Sequence, residues 1–396
     1  MSRWTSYLNS SAKIIGEYNG DIPLSSWLKN FFRSHKEMGS NDRKIIAETV
    51  YGFYRLGHSF KELPVEERLL TSVFLCNQSF SDLLNFFRPD LNVNIALSAE
   101  EKRRLISNGN ELNDPGFIFP WAEEVSDEIN ITEFNASFLE QPDLFLRIRP
   151  GHEIYVLSKL EKAGLPFKKV NAGCISLPNS TKADSILNID SEVVVQDLSS
   201  QQTGSYFGLE GKDLNNSLRV WDCCAASGGK SIMIYDKNPG IRLTVSDVRE
   251  SIMQNLHQRF RRAGISKYLS FITDLSKKAA VLPNELFDII LADLPCTGSG
   301  TWGRTPEQLY FFERSKIDFY SRLQKKIITT IVPRLKKGGK LVYITCSVFR
   351  EENENIVEFI KENFELQLVE RQVLRGYHIK ADSMFVAVFS NTVTGT

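Results

Sequence analysis

The sequence predicts an α/β fold, a doubly wound parallel sheet preceded by a small α+β layer and an all-helical region. Three observations predict it. Before residue 140 the apolar residues recur at helical spacing. Near 142 the period shortens to two. From 217 onward, strand-like and helix-like stretches alternate, the order expected of a sheet wound on both faces. A chain of 396 residues has room for two or three domains. The boundaries fall at 1–140 (helical), 141–205 (small α+β, of RRM-like size) and 206–396 (doubly wound).

In the first region Ile45, Ile46, Thr49, Val50 and Phe53 line one helix face, and Leu63 to Phe80 repeats the pattern, with Pro64 suited to a first turn. Asp143 to Arg149 alternates like a strand until Pro150-Gly151 breaks it. A helix over Glu153–Ala163 follows, then short strands at Phe167–Val170, Cys174–Leu177 and Val193–Gln196. In the last region strands are expected at Leu218–Asp222, Ile241–Asp247, Tyr268–Thr273, Leu286–Ala292, Lys340–Thr345 and Met384–Phe389. Helices are expected from Gly228 to Tyr235 and over Ser251–Ala263, Ser315–Val332 and Glu352–Asn363.

Composition narrows the function. Hydrophobic residues make up 42% and charged residues 24%, which is ordinary for a globular chain. Lys+Arg and Asp+Glu are both 48, so a globally basic nucleic-acid binder is excluded while a local basic patch is not. No apolar run reaches membrane-spanning length, and the start lacks the apolar core of a signal peptide. A cytoplasmic protein without membrane attachment is expected, its six cysteines as thiols. No C-x-x-C pair occurs, so no metal site is expected. A monomer is the expected state.

Candidate functional residues gather at the predicted strand ends, where doubly wound sheets bind ligands. The first strand ends in Asp222-Cys-Cys-Ala-Ala-Ser-Gly-Gly-Lys-Ser231. The two glycines let a ligand approach the backbone as a helix begins. This is no P-loop, because Cys224 stands where that motif needs glycine, and it is no G-x-G-x-x-G, so triphosphates and NAD lose support. Asp247, ending the second strand, is placed for the two hydroxyls of a ribose, or else caps a helix. Asp274 closes the third strand, for an adenine amino group or as a turn aspartate. The fourth runs into Asp293-Leu-Pro-Cys-Thr-Gly-Ser-Gly300, and the fifth delivers Tyr343-Ile-Thr-Cys-Ser347. A lone cysteine is usually core filler. Cys296 and Cys346 at the ends of adjacent parallel strands instead read as a pair at one sheet edge. Residues 304–340 hold ten Lys/Arg against three Asp/Glu, among them Arg304, Arg322, Lys325, Lys326, Arg334, Lys336 and Lys337. That is either a solvated helix face or a phosphate-backbone contact.

These segments, in this order, resemble the Fmu/Sun-type RNA 5-methylcytosine methyltransferases. The stretch Asp222–Ser231 looks like that family's S-adenosylmethionine loop, Asp293–Glu307 like its Asp-x-Pro-Cys segment, and Thr345–Val357 like its Thr-Cys-Ser segment. Gln196-Asp-Leu-Ser-Ser-Gln201 resembles the lead-in to the catalytic domain. Asp42-Arg43 and Val50-Tyr51-Gly52 are similar to the NusB-like helical domain of the bacterial ribosomal-RNA subgroup. One departure is plain: Ser227 stands where the family loop has proline.

The resemblance implies a class I S-adenosylmethionine-dependent methyltransferase fold (Rossmann-like). It implies cofactor contacts from Cys224, Ala225, Ala226, Ser227, Gly228, Gly229, Lys230, Asp247, Asp274 and Asp293. It makes Cys346 the nucleophile on carbon 6 of cytosine and assigns product release to Cys296, with Asp293, protonated or hydrogen-bonding, stabilising the negative charge that develops at N3. The implied partner is RNA, ribosomal by analogy with the NusB-like start, with transfer RNA as the alternative. Three rivals are weighed. The arrangement of DNA cytosine methyltransferases would make Cys296 the nucleophile, and the Thr-Cys-Ser segment argues against it. A non-catalytic RNA-binding assembly factor would have lost a thiol or a cofactor carboxylate, and none is lost. A dehydrogenase fails on glycine spacing.

Overall fold

The computed structural model describes residues 2–106, 117–209 and 217–391, in two compact units. The helical unit comprises the chain up to Glu123, with Asn130–Gln141 and Thr301–Glu313. The second unit takes Glu124–Ile129, Pro142–Gly300 and the chain from Arg314 onward.

In the helical unit the long helices are Arg3–Glu17, Leu24–Ser34, Ser40–Arg55 and Val65–Cys76. Helix Ser40–Arg55 starts where the carboxylate of Asp42 turns back to accept from the Gly39 N–H at 2.7 Å, filling one of the donors a helix start leaves open. Its apolar face buries Ile46, Val50 and Phe53, as the spacing predicts. Arg55, at the end of that helix, is buried. Its guanidinium donates to the carbonyls of Phe138, Glu140 and Gly303 at 3.0, 2.9 and 3.0 Å. Trp302, Leu309 and Phe312 of the segment Thr301–Glu313 are buried, Trp302 and Phe312 packing against Trp121. That segment comes from the middle of the predicted doubly wound region but is part of the helical unit. Its contacts are aromatic and long-range in sequence, which local periodicity cannot register.

The second unit holds two sheets. The smaller has the order β2-β3-β1-β4, with β1 Leu144–Ile148, β2 Lys168–Asn171, β3 Cys174–Leu177 and β4 Val193–Val195, all antiparallel. Helix Glu153–Lys162 packs Val156 and Leu160 against it. The larger has seven strands: β5 Arg219–Asp222, β6 Arg242–Asp247, β7 Tyr268–Ile272, β8 Phe287–Asp293, β9 Leu335–Thr345, β10 Gln367–Arg375 and β11 Ser383–Ser390. Their order is β10-β11-β9-β8-β5-β6-β7. The central strands are buried runs such as Ile289-Ile-Leu-Ala292, the pattern of a sheet covered on both faces. Arg147 and Arg149, from β1 and just after it, both pair with Asp236 at 2.7 Å and tie the small layer to helix Gly229–Lys237.

Two details depart from the all-parallel expectation. β11 runs antiparallel to β9, and a further strand, β10, lies antiparallel at the edge. β10 is half exposed, and a register shift between Leu368 and Glu370 blurs its alternation. Strands β9, β8, β5, β6 and β7 are parallel, so their carboxyl ends meet on one side.

Candidate active site

That shared edge carries Asp222, Asp247, Asp293 and Cys346. Asp293 in β8 pairs with Ile344 in β9, so the two loops that follow leave the sheet side by side. They stay together. Gly300 N–H donates to the Cys346 carbonyl at 2.9 Å. A Cβ on Gly300 would fall 2.1 Å from the Ser383 carbonyl, so only glycine permits this approach. Ser299 Oγ accepts from Val348 N–H at 2.9 Å.

This lacing places the sulfurs of Cys296 and Cys346 3.2 Å apart, both thiols half-buried. Cys296 is held well above the ordinary thiol range, first by its hydrogen bond with the Cys346 sulfur and then by burial. Beneath the pair lies Glu352, which is fully buried. Its Oε1 accepts from the hydroxyls of Thr297 and Ser347 at 2.5 and 2.6 Å. Its Oε2 accepts from Thr297 N–H and Gln324 Nε2 at 2.9 and 3.1 Å. One carboxylate thus braces the residue after each thiol. Burial raises its pKa against these donors.

Lys230, in the first turn of its helix, donates to Asp293 Oδ2 at 2.7 Å. Burial opposes the ammonium charge, but Asp293 and nearby Cys346 hold its pKa above the ordinary lysine range. Cation, carboxylate and thiol pair share one small space.

The turn after β5 has the features of a cofactor cradle. Ala226 and Gly228 take positive φ, +46° and +84°. A Cβ on Gly229 would meet nothing within 4 Å, so the turn opens onto free space there. Asp222 has a buried Oδ1 without a hydrogen-bond partner, and Asp247 ends the next strand. A turn open at Gly229 and flanked by carboxylates fits S-adenosylmethionine, which carries a sulfonium, an ammonium and ribose hydroxyls.

The comparisons agree with this geometry. A family model described as 16S rRNA methyltransferase RsmB/F matches residues 212–392. The ribosomal RNA small subunit methyltransferase B of Enterobacter sp. (strain 638) is 33% identical over 355 residues, covering 86% of this chain and 79% of the relative. The chain belongs to the RsmB/F family. Among solved structures, PH0851 matches with a TM-score of 0.68 at 20% identity, covering 98% of this chain and 99% of that one. NSun6 from Pyrococcus horikoshii, solved with SFG, matches with a TM-score of 0.54 at 16% identity, covering 63% and 91%. Both show the same fold. The RsmB/F family member described here is a methyltransferase dependent on S-adenosylmethionine.

Within this RsmB/F site, Cys224 to Gly228, Asp247, Asp293, Cys296 and Cys346 lie at strand ends or in the turns that follow, and Gly229 and Lys230 open the next helix. Asp247 is engaged: Oδ1 accepts from Arg249 N–H and Nε, both at 3.0 Å, and Oδ2 from Ala226 N–H at 3.0 Å and Arg249 Nη2 at 3.3 Å. Asp274 folds onto its own turn, accepting from Ser276 N–H and Oγ–H at 3.0 and 2.6 Å, and pairs with Lys277 at 3.3 Å. The basic stretch 304–340 is less uniform than its composition. Arg304 lies in the helical unit, Arg314 pairs with Glu124, Lys325 with Glu351 and Lys336 with Asp288, while Lys316, Arg322, Lys326 and Lys337 are exposed. The Lys230–Asp293 pair and the brace at Glu352 were not legible in the sequence. Glu352 sits in a polar run, Arg350-Glu-Glu-Asn353, that reads as a helix start; the helix begins at Glu354.

Proposed function

We propose that the chain transfers a methyl group from S-adenosylmethionine to carbon 5 of a cytosine in ribosomal RNA, through a covalent bond between Cys346 and carbon 6. The observation that carries this reading is the pair of thiols 3.2 Å apart beside the Lys230–Asp293 pair.

Carbon 5 of cytosine is a poor nucleophile. A sulfur adding to carbon 6 pushes electrons through the ring and makes carbon 5 enamine-like. S-adenosylmethionine, when bound, supplies the electrophilic methyl. Cys346 supplies the sulfur, adding as the thiolate, the nucleophilic form of a thiol. Negative charge develops toward N3 as the bond forms, and the Lys230 ammonium is the positive group beside Asp293 that can stabilise it. The Asp293 carboxylate is an acceptor suited to the cytosine amino group. Cys296 retains its proton at the start, which suits a group that gives this proton to the Cys346 sulfur as the carbon-6 bond breaks and takes the carbon-5 proton in its place. The base must be splayed out to reach these groups. The helical unit and the exposed cations Lys316, Arg322 and Lys326 are the proposed contacts for the rest of the RNA.

The relative's name supports ribosomal RNA as substrate. The test is incubation of unmethylated 16S ribosomal RNA with the protein and isotope-labelled cofactor, followed by nucleoside mass spectrometry. Labelled 5-methylcytidine is expected. Label in any other nucleoside, or in none, contradicts the proposal.

A further inference from the structure

The turn after β5 lacks the proline that the resembling family carries, and Ser227 stands between two residues of positive φ, Ala226 and Gly228. A ring would fix the backbone covalently. Serine cannot, so something else must hold this peptide if the turn is to be ready for a ligand.

The helix Glu250–Arg262 does so. Its Phe260 lies where a Cβ on Gly228 would come within 2.7 Å, so the helix is pressed against the turn. One residue earlier, Arg259 reaches the serine itself. Its Nη1 donates to the Ser227 carbonyl at 3.0 Å and to the Ser227 hydroxyl at 2.9 Å. The other edge of the guanidinium is anchored, with Nε and Nη2 reaching Asp190 Oδ1 at 2.9 and 2.8 Å. Asp190 is fully buried and also receives Nε and Nη2 of Arg262, at 3.1 and 2.8 Å.

We infer that Arg259 is a positioning residue for S-adenosylmethionine: anchored on Asp190, it clamps Ser227 and so sets the backbone of the cofactor turn. The inference rests on the reading of residues 224–230 as that turn. A planar guanidinium with five donors can serve two acceptors on opposite edges at once, and the buried Asp190 aims it before any ligand arrives. A lysine has one ammonium on a flexible stem and cannot span both. Because Arg262 remains on Asp190, removing Arg259 does not leave that carboxylate without a cation. The clamp touches no reacting atom, so its loss acts on cofactor binding rather than on chemistry.

The test is a coupling measurement, with S-adenosylhomocysteine titrated calorimetrically into the full chain. Arg259→Ala is expected to weaken binding about tenfold, the scale of a lost charge-assisted bond. Arg259→Lys, which keeps a cation for Asp190, is expected to lose as much. The KM for cofactor should rise in parallel, with kcat within about twofold of wild type. Ser227→Pro should restore order by the ring, so that adding Arg259→Ala in that background costs less than about threefold. An equal loss in both backgrounds, or wild-type affinity in Arg259→Lys, overturns the clamp. Asp247→Ala is measured alongside. If it weakens binding while Arg259→Ala does not, the clamp alone is wrong; if neither variant weakens binding, the reading of the cofactor turn is wrong.

Discussion

Asp222 ends β5 with one carboxylate oxygen taking the Ser231 hydroxyl at 2.6 Å and the other buried without a partner. Burial pushes its pKa up to about 7. The folded state therefore holds this proton more tightly than the unfolded chain does. The stability this contributes is full below the ordinary aspartate range and is lost as pH rises through about 7. Asp222→Asn, neutral throughout, should gain stability relative to wild type between about pH 5 and about pH 8, by roughly 1–4 kcal/mol, as read from urea denaturation. Parallel stability curves would contradict the burial argument. Glu352 makes the opposite kind of demand: both oxygens face only donors, from Thr297, Ser347 and Gln324. Glu352→Gln loses the charge that these four donors satisfy, and its NH₂ forces the Thr297 and Ser347 hydroxyls to turn from donating to accepting. It should cost about 1–3 kcal/mol of stability and slow methyl transfer while leaving cofactor affinity unchanged. Wild-type melting and wild-type turnover together would remove the brace.

Among the elements, buried strands were the most legible. β3 and β6 fall within one residue of their predicted bounds because their side chains point into packed layers and the residue pattern records it. The predicted strand Lys340–Thr345 is longer, starting at Leu335, since Gly338 and Gly339 carry no hydrophobic signal. β10 was missed for the same reason at a sheet edge, where Glu370, Arg371 and Arg375 face water. Helix Ser315–Ile331 was predicted correctly, and its amphipathic face buries Ile317, Ile327 and Ile331. Its charges needed the structure: Lys325 is paired with Glu351, whereas Arg322 and Lys326 are exposed one helical turn apart. Reversing both to Glu should weaken RNA binding and flatten its dependence on salt. An unchanged slope of affinity against salt concentration would make this a solvated face only.

At the scale of the whole molecule, the site assembles residues far apart in the chain, and parallel neighbouring strands explain how. Cys296 and Cys346 follow β8 and β9, so adjacency of those strands was enough to predict their meeting. The strand-end carboxylates were legible on the same logic. What stayed hidden depends on side-chain reach: the Lys230–Asp293 pair, the brace at Glu352 and the clamp of Arg259 on Ser227. The helical unit's capture of Thr301–Glu313 was hidden as well, since no local pattern marks a segment whose partners lie some 180 residues or more away, as with Trp302 and Trp121. The central claim is that Cys346 forms the carbon-6 bond and Cys296 helps to break it. The direct measurement is a denaturing gel of Cys296→Ala, Cys346→Ala and the double variant after incubation with ribosomal RNA and S-adenosylmethionine. A protein–RNA band should accumulate for Cys296→Ala alone and vanish in the double variant, because the adduct forms but is not released. A band that persists in Cys346→Ala and disappears in Cys296→Ala would contradict the account and make Cys296 the nucleophile.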